Sequence, residues 1–313
     1  MARDFSPSAR KKRAKSDTKT LETVAATRDD PGTIIAGGEV VELRFAKGGA
    51  LSLRAAKLWH SLVDAAGLAV VEDREHEIPL AELNWMHRSK ADLIDCIREL
   101  QQTVVEVEVE YRGRKRRRSG QLLTDVDRDL DDDGVVNFRF SNAIRTILGR
   151  SRHWAALSAR AVLAMESRYT LRLYEIVALR VNRRQVEETF DLADLRARLG
   201  VPNGKYQRWP DFRRYVLELA IAELNQLAGF TIEWEPVQRR RRVTGVTLRW
   251  RHKEGEELAE TAQELERPRV GRKARREGHV ERLAEQEAAE RARLAASLMR
   301  AAEQTDIDDQ VPY

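Results

Sequence analysis

The residues with the clearest chemical potential are arginines and lysines that lie in three clusters. The chain has 56 Lys and Arg against 51 Asp and Glu, so its net charge of +5 is modest and only the clustering stands out. Clustered cations neutralise phosphates and release condensed counterions, which is typical of a polyanion binder. A solvated charged surface is the alternative for any single cluster. The clusters are Arg112 with Arg114–Arg118, then Arg239–Arg242, then Arg267, Arg269, Arg272, Lys273, Arg275 and Arg276.

Motifs for catalysis or cofactor binding are incomplete. Gly200–Lys205 resembles a phosphate-binding loop, but it is one residue short and Tyr206 stands where a Ser or Thr must meet Mg²⁺. Asp129–Asp133 begins like a calcium loop, but Phe140 stands where a bidentate Glu is needed. The six histidines lack metal-ligand spacing, and the single Cys96 excludes an intrachain disulfide. The sequence therefore predicts no catalytic residue, no cofactor and no metal, and a binding protein rather than an enzyme.

The elements that would position the basic clusters occur twice along the chain. Each half reads as helix, helix, helix, strand, basic turn and strand. The repeat has different loop lengths in the two halves. Its matched segments are Lys57–Trp59 with Arg172–Tyr174, Leu80–Leu83 with Leu192–Leu195, and Ile97–Leu100 with Ile221–Leu224.

The third helix of the second half is the most informative element. Pro210 suits its first turn, and the short helix before it should stop at Gly200. Helical spacing predicts one buried face, and Arg213 and Arg214 fall outside that face. The residues predicted to be buried are Phe212, Tyr215, Val216, Leu219, Ala220 and Leu224.

Two helices followed by a hairpin with a basic tip indicate a winged helix-turn-helix domain. We therefore predict an α+β fold with two tandem winged helix-turn-helix domains. One helix of such a domain fits the major groove, where arginine can bond guanine or phosphate, so Arg213 and Arg214 are the leading base-reading candidates. The alternative is that Arg213 pairs with a carboxylate such as Glu218. The loop before the helix and the hairpin tip would contact the DNA backbone or the minor groove.

The first half differs in charge. Ser89 is a favourable N-cap by residue type and begins a third helix that presents Lys90 beside Asp92 and Asp95, whereas the following turn at residues 112–120 is strongly basic. We expect the second domain to read bases more strongly and the first to add wing and protein contacts. The candidate DNA-contacting residues are Lys205, Tyr206, Arg208, Arg213, Arg214, Arg239, Arg240, Arg241, Arg242, Arg114, Lys115, Arg116, Arg117, Arg118, Ser89 and Lys90.

Three blocks of the second half resemble the plasmid replication initiators of the Rep-3 superfamily. They are Arg172–Glu175, Tyr206–Arg213 and Ala220–Asn225, within a resemblance over residues 40–252. One departure is Leu219, where many relatives have proline. The resemblance implies two winged helices that bind repeated double-stranded DNA sites (iterons) at an origin, promote local melting and recruit the host helicase. It further implies a host initiator as partner, a possible homodimer and repression of the protein's own promoter. A winged-helix transcriptional regulator is the alternative.

Composition predicts four segments. They are a disordered basic arm (residues 1–37), two winged-helix domains (38–150 and 151–252) and a charged, partly helical tail (253–313) with a sparse apolar stripe at Leu283, Leu294 and Leu298. A helical stretch at residues 142–165 should link the domains. The N-terminus has no apolar core, and no run approaches the roughly 18 apolar residues of a membrane span, so we expect a cytoplasmic protein without membrane contact.

Overall fold

The computed structural model describes residues 19–27, 32–42, 44–45, 50–83, 89–111, 114–129 and 134–277. The described residues up to Lys253 form one compact unit, and those from Glu254 onward belong to a second. The helices are α1 Lys19–Thr27, α2 Gly38–Val41, α3 Leu53–Ala66, α4 Leu80–Leu83, α5 Lys90–Gln102, α6 Asn142–Leu148, α7 Ala159–Ala164, α8 Arg168–Asn182, α9 Leu192–Arg198, α10 Trp209–Phe212, α11 Glu218–Leu227, α12 Gly255–Glu266 and α13 Arg272–Arg276, with a 3₁₀ helix at Gly67–Val71 and a π-helical segment at Arg213–Leu217. The strands are β1 Thr33–Gly37, β2 Arg44–Phe45, β3 His76–Pro79, β4 Val104–Tyr111, β5 Arg114–Gln121, β6 Leu123–Arg128, β7 Val135–Phe140, β8 Trp154–Ser158, β9 Glu187–Asp191, β10 Phe230–Arg239 and β11 Arg242–His252.

The two halves of the chain share one topology. In the first half α3, β3, α4 and α5 precede the hairpin β6–β7, and the sheet order is β3-β7-β6. In the second half α8, β9, α9 and the helix at residues 209–227 precede the hairpin β10–β11, and the sheet order is β10-β11-β9. In both, the last strand pairs with the first strand and with its hairpin partner. The predicted repeat is therefore a repeat of structure.

The first half contains an additional hairpin, β4–β5, which is inserted before the hairpin that matches the second half. It forms a separate sheet of order β2-β4-β5. The prediction of a long basic turn at residues 112–120 is wrong for residues 114–120, because Arg114–Gln121 is a strand paired along its length with β4, while residues 112–113 lie outside the described residues. Alternating side chains of a strand point to opposite faces, so this basic run is divided between two faces.

The N-terminal region is more ordered than its composition predicts. The prediction of disorder over residues 1–37 is wrong in part, because α1 and β1 lie within them and β1 pairs with β8 from Thr33↔Ser158 to Gly37↔Trp154. Ile34 and Ile35 are buried. Burial of this short apolar run stabilises the strand, although the composition of residues 1–37 as a whole is polar. The predicted helical link at residues 142–165 is also wrong, since β8 interrupts it between α6 and α7.

A buried ionic cluster joins the first helices of the two repeats, α3 and α8. Glu175 accepts a hydrogen bond from Arg172, and its Oε1 lies 2.7 Å from Nε2 of His60. Arg172 also donates to the carbonyl of Val41, and Lys57 of α3 donates to the carbonyl of Met165 at 2.7 Å. Burial alone would raise the pKa of Glu175, but the adjacent Arg172 and His60 hold it below its ordinary value. Because buried charges are costly unless paired, this cluster fixes α8 against α3.

Several residues of the three sequence blocks have structural roles. Glu223 is buried and accepts hydrogen bonds from the Thr170 hydroxyl and the Glu166 backbone, which ties α11 to the start of α8. Asn225 bonds both the N–H and the carbonyl of Ile232 and so fixes the first strand of the hairpin. With Arg172 and Glu175, these residues stabilise the fold.

The second unit is helical where it is described. Glu264 on α12 accepts hydrogen bonds from Arg272 and Arg275, and these contacts hold α13 against α12. The arginine attraction outweighs burial and lowers the pKa of Glu264. The predicted helical character of the tail is confirmed for α12 and α13, whereas the stripe Leu283, Leu294 and Leu298 lies outside the described residues. Among the described helices, none has the length and apolar character needed to cross a membrane.

Candidate nucleic-acid interface

The central element of the site is a continuous helix made of α10, the π segment Arg213–Leu217 and α11, here called the compound helix (residues 209–227). Pro210 lies in its first turn as predicted, where a missing N–H costs nothing. In the π segment the N–H of Glu218 donates to the carbonyl of Arg213, five residues earlier. Single π turns of this kind recur at functional sites.

The π segment changes which residues are buried. Phe212, Val216, Ala220 and Leu224 are buried as predicted. The prediction that Tyr215 and Leu219 belong to the core is wrong, because they are 47% and 49% exposed. The extra residue in the turn places Leu217 in the core instead. Uniform helical spacing could not show this shift.

The two arginines of the π segment have different surroundings. Arg213 forms an ion pair with Glu218 at 3.4 Å, which is the alternative that the sequence left open, and both side chains are nearly half exposed. Such surface pairs contribute only about 0–1 kcal/mol, so this one competes weakly with a nucleic-acid contact. Arg214 instead lies over the ring of Tyr215 at 5.6 Å and has no ion pair with any described residue.

Arg196 of α9 holds the loop before the compound helix in place. Its guanidinium donates to the carbonyls of Lys205 and Tyr206 and lies over the ring of Phe212 at 5.2 Å. Burial lowers the pKa of Arg196. Tyr206 adopts a left-handed φ of 49° and stacks on Tyr215 at 5.8 Å. Arg196 therefore holds this loop against the helix.

Lys205 and Arg208 flank this tyrosine pair. Both are exposed, and neither forms an ion pair with a described residue. Arg208 is the N-cap of α10 and accepts the N–H of Phe212 through its carbonyl, which leaves its side chain outside the helix. The structure thus brings Lys205, Tyr206, Arg208, Arg213 and Arg214 to one end of one helix.

The hairpin β10–β11 ends in four consecutive arginines, Arg239–Arg242, here called the wing tip. Arg239 pairs in register with Arg242, so Arg240 and Arg241 form a two-residue turn, with φ of 45° and 68°. Two-residue turns with positive φ at both positions favour Asn-Gly, since other residues are strained there. All four are exposed, and within the described part of the chain none has an acidic partner.

The corresponding helix of the first domain, α5, has a different surface. Ser89 is its N-cap as predicted, and its hydroxyl accepts the N–H of Asp92 at 3.3 Å. Asp92 pairs with Arg54, and the exposed Asp95 pairs with Arg98. The side chain of Lys90 lies outside the described residues. The described part of this face is mixed in charge, with its acidic groups toward the start of the helix.

The basic strand β5 of the first domain also has partners for some of its positive charges. Arg118 donates to the hydroxyl of Thr146 at 2.6 Å, which ties it to α6. Arg117 pairs with Glu106 of β4 at 3.7 Å. Arg114, Lys115 and Arg116 are exposed on the same strand. The structure therefore places the candidates Arg114–Arg118 on a sheet of their own, whereas Ser89 and Lys90 lie at the start of α5.

Groups that could serve other chemistry are sparse. Among the described residues, no group of three His, Cys, Asp or Glu side chains could hold a metal ion. Burial raises the pKa of the Cys96 thiol to about 11, so the thiol stays protonated at neutral pH.

Two family models match the chain. The model described as "Initiator Replication protein, WH1" matches residues 40–178, and the one described as "Initiator Rep protein, WH2" matches residues 191–250, so together they span more than half of the chain. The first model runs beyond residue 150, where the sequence predicted a domain boundary. The predicted bounds stay predictions.

Among solved structures, the chain is similar to one described as "Crystal structure of Pi initiator protein in complex with iteron DNA". The TM-score is 0.52 at 15% identity, and the match covers 72% of this chain and 98% of that chain. At this identity the likeness is one of fold. No curated protein matches the chain significantly.

Proposed function

The chain belongs to the family of plasmid replication initiators built from two winged-helix domains, and from this premise we propose that it binds repeated double-stranded DNA sites at its origin mainly through the second domain. The observation that carries the proposal is the surface formed by the start of the compound helix together with the wing tip. Both are exposed and cationic, and Arg214 and the wing tip have no acidic partners among the described residues.

Each part of this surface has a distinct role. The compound helix lies in the major groove, where Arg214 and Arg213 bond guanine or an adjacent phosphate. Lys205, Tyr206 and Arg208 contact the backbone beside the groove. The wing tip contacts the flanking phosphates or the minor groove and supplies affinity and register rather than sequence information.

The first domain contributes less to base reading. We assign its exposed cations, Arg114, Lys115, Arg116 and Arg117, to phosphate contacts, with Arg118, Ser89 and Lys90 at the margin of that surface. We assign a homodimer contact to this domain, and we expect the protein to contact the host initiator and the replicative helicase. Bound at its repeats, the protein promotes local melting of adjacent DNA and represses its own promoter.

The proposed action requires no catalytic step. Binding energy at several repeats, applied to one stretch of DNA, is sufficient to favour a deformed duplex, because bending and unstacking cost only a few kcal/mol per site. Host enzymes would do the subsequent chemistry. The protein would act in the cytoplasm, where the plasmid DNA and these enzymes lie.

The decisive experiment is to move the gene with its flanking DNA onto a plasmid that lacks an origin. We expect replication with the intact gene, and none when Arg213 and Arg214 are both replaced with Ala. A control replaces Arg183 and Arg184, which follow α8 and belong neither to the compound helix nor to the wing tip, and the plasmid should still replicate.

The DNA-binding step is tested separately with purified protein and the flanking DNA. Protection of regularly spaced direct repeats supports the proposal. Protection of a single inverted repeat at the promoter, with no plasmid replication, would instead identify a transcriptional regulator.

A further inference from the structure

Tyr215 and Leu219 form an exposed apolar pair on the compound helix. They lie four residues apart, each is about half exposed, and the buried Val216 and Ala220 lie beside them on the core side. Large apolar side chains are normally withdrawn from water when a buried face is available on the same helix. Here the π segment presents them to solvent.

The pair is held in place. Tyr215 stacks on Tyr206, with ring centroids 5.8 Å apart, and the guanidinium of Arg214 lies over its ring at 5.6 Å. Tyr206 reaches this position through a left-handed backbone conformation, which a residue with a side chain adopts only where its surroundings fix it. Such prior ordering lowers the entropy cost of binding.

We propose that Tyr215 and Leu219 read thymine in the major groove by contacting its C5-methyl group. This inference rests on the proposed function and adds the kind of base pair that the site selects. Thymine is the only standard base with an apolar group in that groove, and apolar side chains are its recognised partners.

The surrounding charge favours DNA over a protein as the occupant of this apolar pair. Arg214 lies over the ring of Tyr215, and Lys205 and Arg208 flank its stacking partner Tyr206 in the chain; none of the three has an acidic partner among the described residues. A polyanion satisfies these cations while the groove covers the apolar pair.

The spacing of the two side chains predicts the spacing of the two thymines. Residues four apart on a helix are separated by about 6 Å along its axis, and successive base pairs are about 3.4 Å apart. The two thymines should therefore lie within about two base pairs of each other.

The test starts from a site selected from random duplexes by the wild-type protein. Each thymine is then replaced with deoxyuridine, which removes only the methyl group. We expect affinity to fall roughly fourfold, the value of one buried methyl-sized group, at one or two neighbouring positions. With Leu219→Ala this effect should disappear at one of them, and with Tyr215→Ala at the other.

The matched control is Val186→Ala, since Val186 is 68% exposed but lies between α8 and β9 and is not part of the compound helix. It should keep the full thymine preference. Thermal unfolding of all three variants shows whether each remains folded, and Leu219→Met provides a variant that keeps an apolar side chain and the preference.

The possible outcomes distinguish failure of the thymine assignment from failure of the proposed DNA-binding function. A selected site whose affinity is unaffected by every deoxyuridine substitution overturns the thymine assignment alone, as does a preference that persists in both alanine variants. Failure of the wild-type protein to select any duplex overturns the proposed function as well. Wild-type DNA affinity in both alanine variants would overturn the assignment of the pair to the DNA-contacting surface.

Discussion

The two basic hairpins of this protein are similar in sequence and different in structure. The wing tip of the second domain places four arginines at the end of a hairpin, with no acidic partner among the described residues. In the first domain the basic run Arg114–Arg118 lies along a strand that pairs residue by residue with β4. Two of its arginines already have partners, Glu106 and Thr146.

The difference shows that the partners of a basic run decide its function more than its length does. A cation that already has a carboxylate beside it gains less from a phosphate, because binding then exchanges one ionic partner for another. The same contrast separates α5, where aspartates precede Arg98, from the compound helix, where Arg214 lies over an aromatic ring. Both comparisons favour stronger DNA binding by the second domain.

The largest effect is expected when the positive charges of each hairpin are removed in turn. Replacing Arg239–Arg242 with Gln should lower affinity for duplex DNA on the order of a hundredfold and flatten the salt dependence by about 0.9 in slope for each phosphate that is no longer neutralised. The same change at Arg114–Arg117 should have a clearly smaller effect on both quantities. Arg118 is left unchanged because it bonds Thr146. The measurement is the equilibrium affinity at several salt concentrations.

Equal effects of the two hairpin variants would contradict the conclusion that the second domain binds DNA more strongly. An unchanged salt slope in the variant of the wing tip would exclude a phosphate contact there. Thermal unfolding is the control for both variants. Since the substituted side chains are exposed, we expect little change in stability.

The second test compares neighbouring arginines within the compound helix. Arg214→Ala should cost about 1–3 kcal/mol on the specific site, which is the range for a bidentate base contact. Arg213→Ala should cost less, because Arg213 already pairs with Glu218. Random duplex DNA is the control, and its affinity should change little in either variant. An equal decrease on specific and random DNA would show that Arg214 contacts phosphate and does not read a base.

Much of the fold follows from local sequence rules. Apolar periodicity, Pro210 at a helix start, Ser89 as an N-cap and the alternating strands of the last hairpin predict the repeated unit. The duplicated order of elements then indicates the fold. These features are local, so the sequence records them directly.

The errors arise where tertiary contacts or a change of period decide the outcome. β1 forms because β8, from a distant part of the chain, lies beside it, and residue composition does not contain that pairing. A constant helical period assigns Tyr215 and Leu219 to the core, and the π turn changes that period locally. The basic run of the first domain has the composition of a turn, but its pairing with β4 makes it a strand.

The residues that carry the resemblance overlap only in part with those of the site. Arg172, Glu175, Glu223 and Asn225 lie in the blocks that resemble the family, and they form buried or strand-fixing contacts. Their presence predicts the fold well. The exposed surface that would select a DNA sequence shares Tyr206, Arg208 and Arg213 with the block Tyr206–Arg213, whereas Arg214 and the wing tip lie outside the three blocks.

The smallest predicted effect concerns the turn of the wing tip, where stability and binding should change in opposite directions. Replacing Arg240 and Arg241 with Asn and Gly gives the residues that this turn favours and should raise the free energy of unfolding by about 1–2 kcal/mol, because the strain at two positive φ angles is relieved. The same change removes two cations and should lower DNA affinity.

The matched control for this turn replaces both arginines with Ala, which removes the same charge but keeps residues with side chains at the two strained positions. Its DNA affinity should fall as far as that of the Asn-Gly variant, without a gain in stability. Equal unfolding free energies for the two variants would show that the turn is not strained. Wild-type DNA affinity in both variants would show that Arg239 and Arg242 are sufficient for the DNA contact of the wing tip. The difference in DNA binding between the two hairpins would then depend on these two arginines alone.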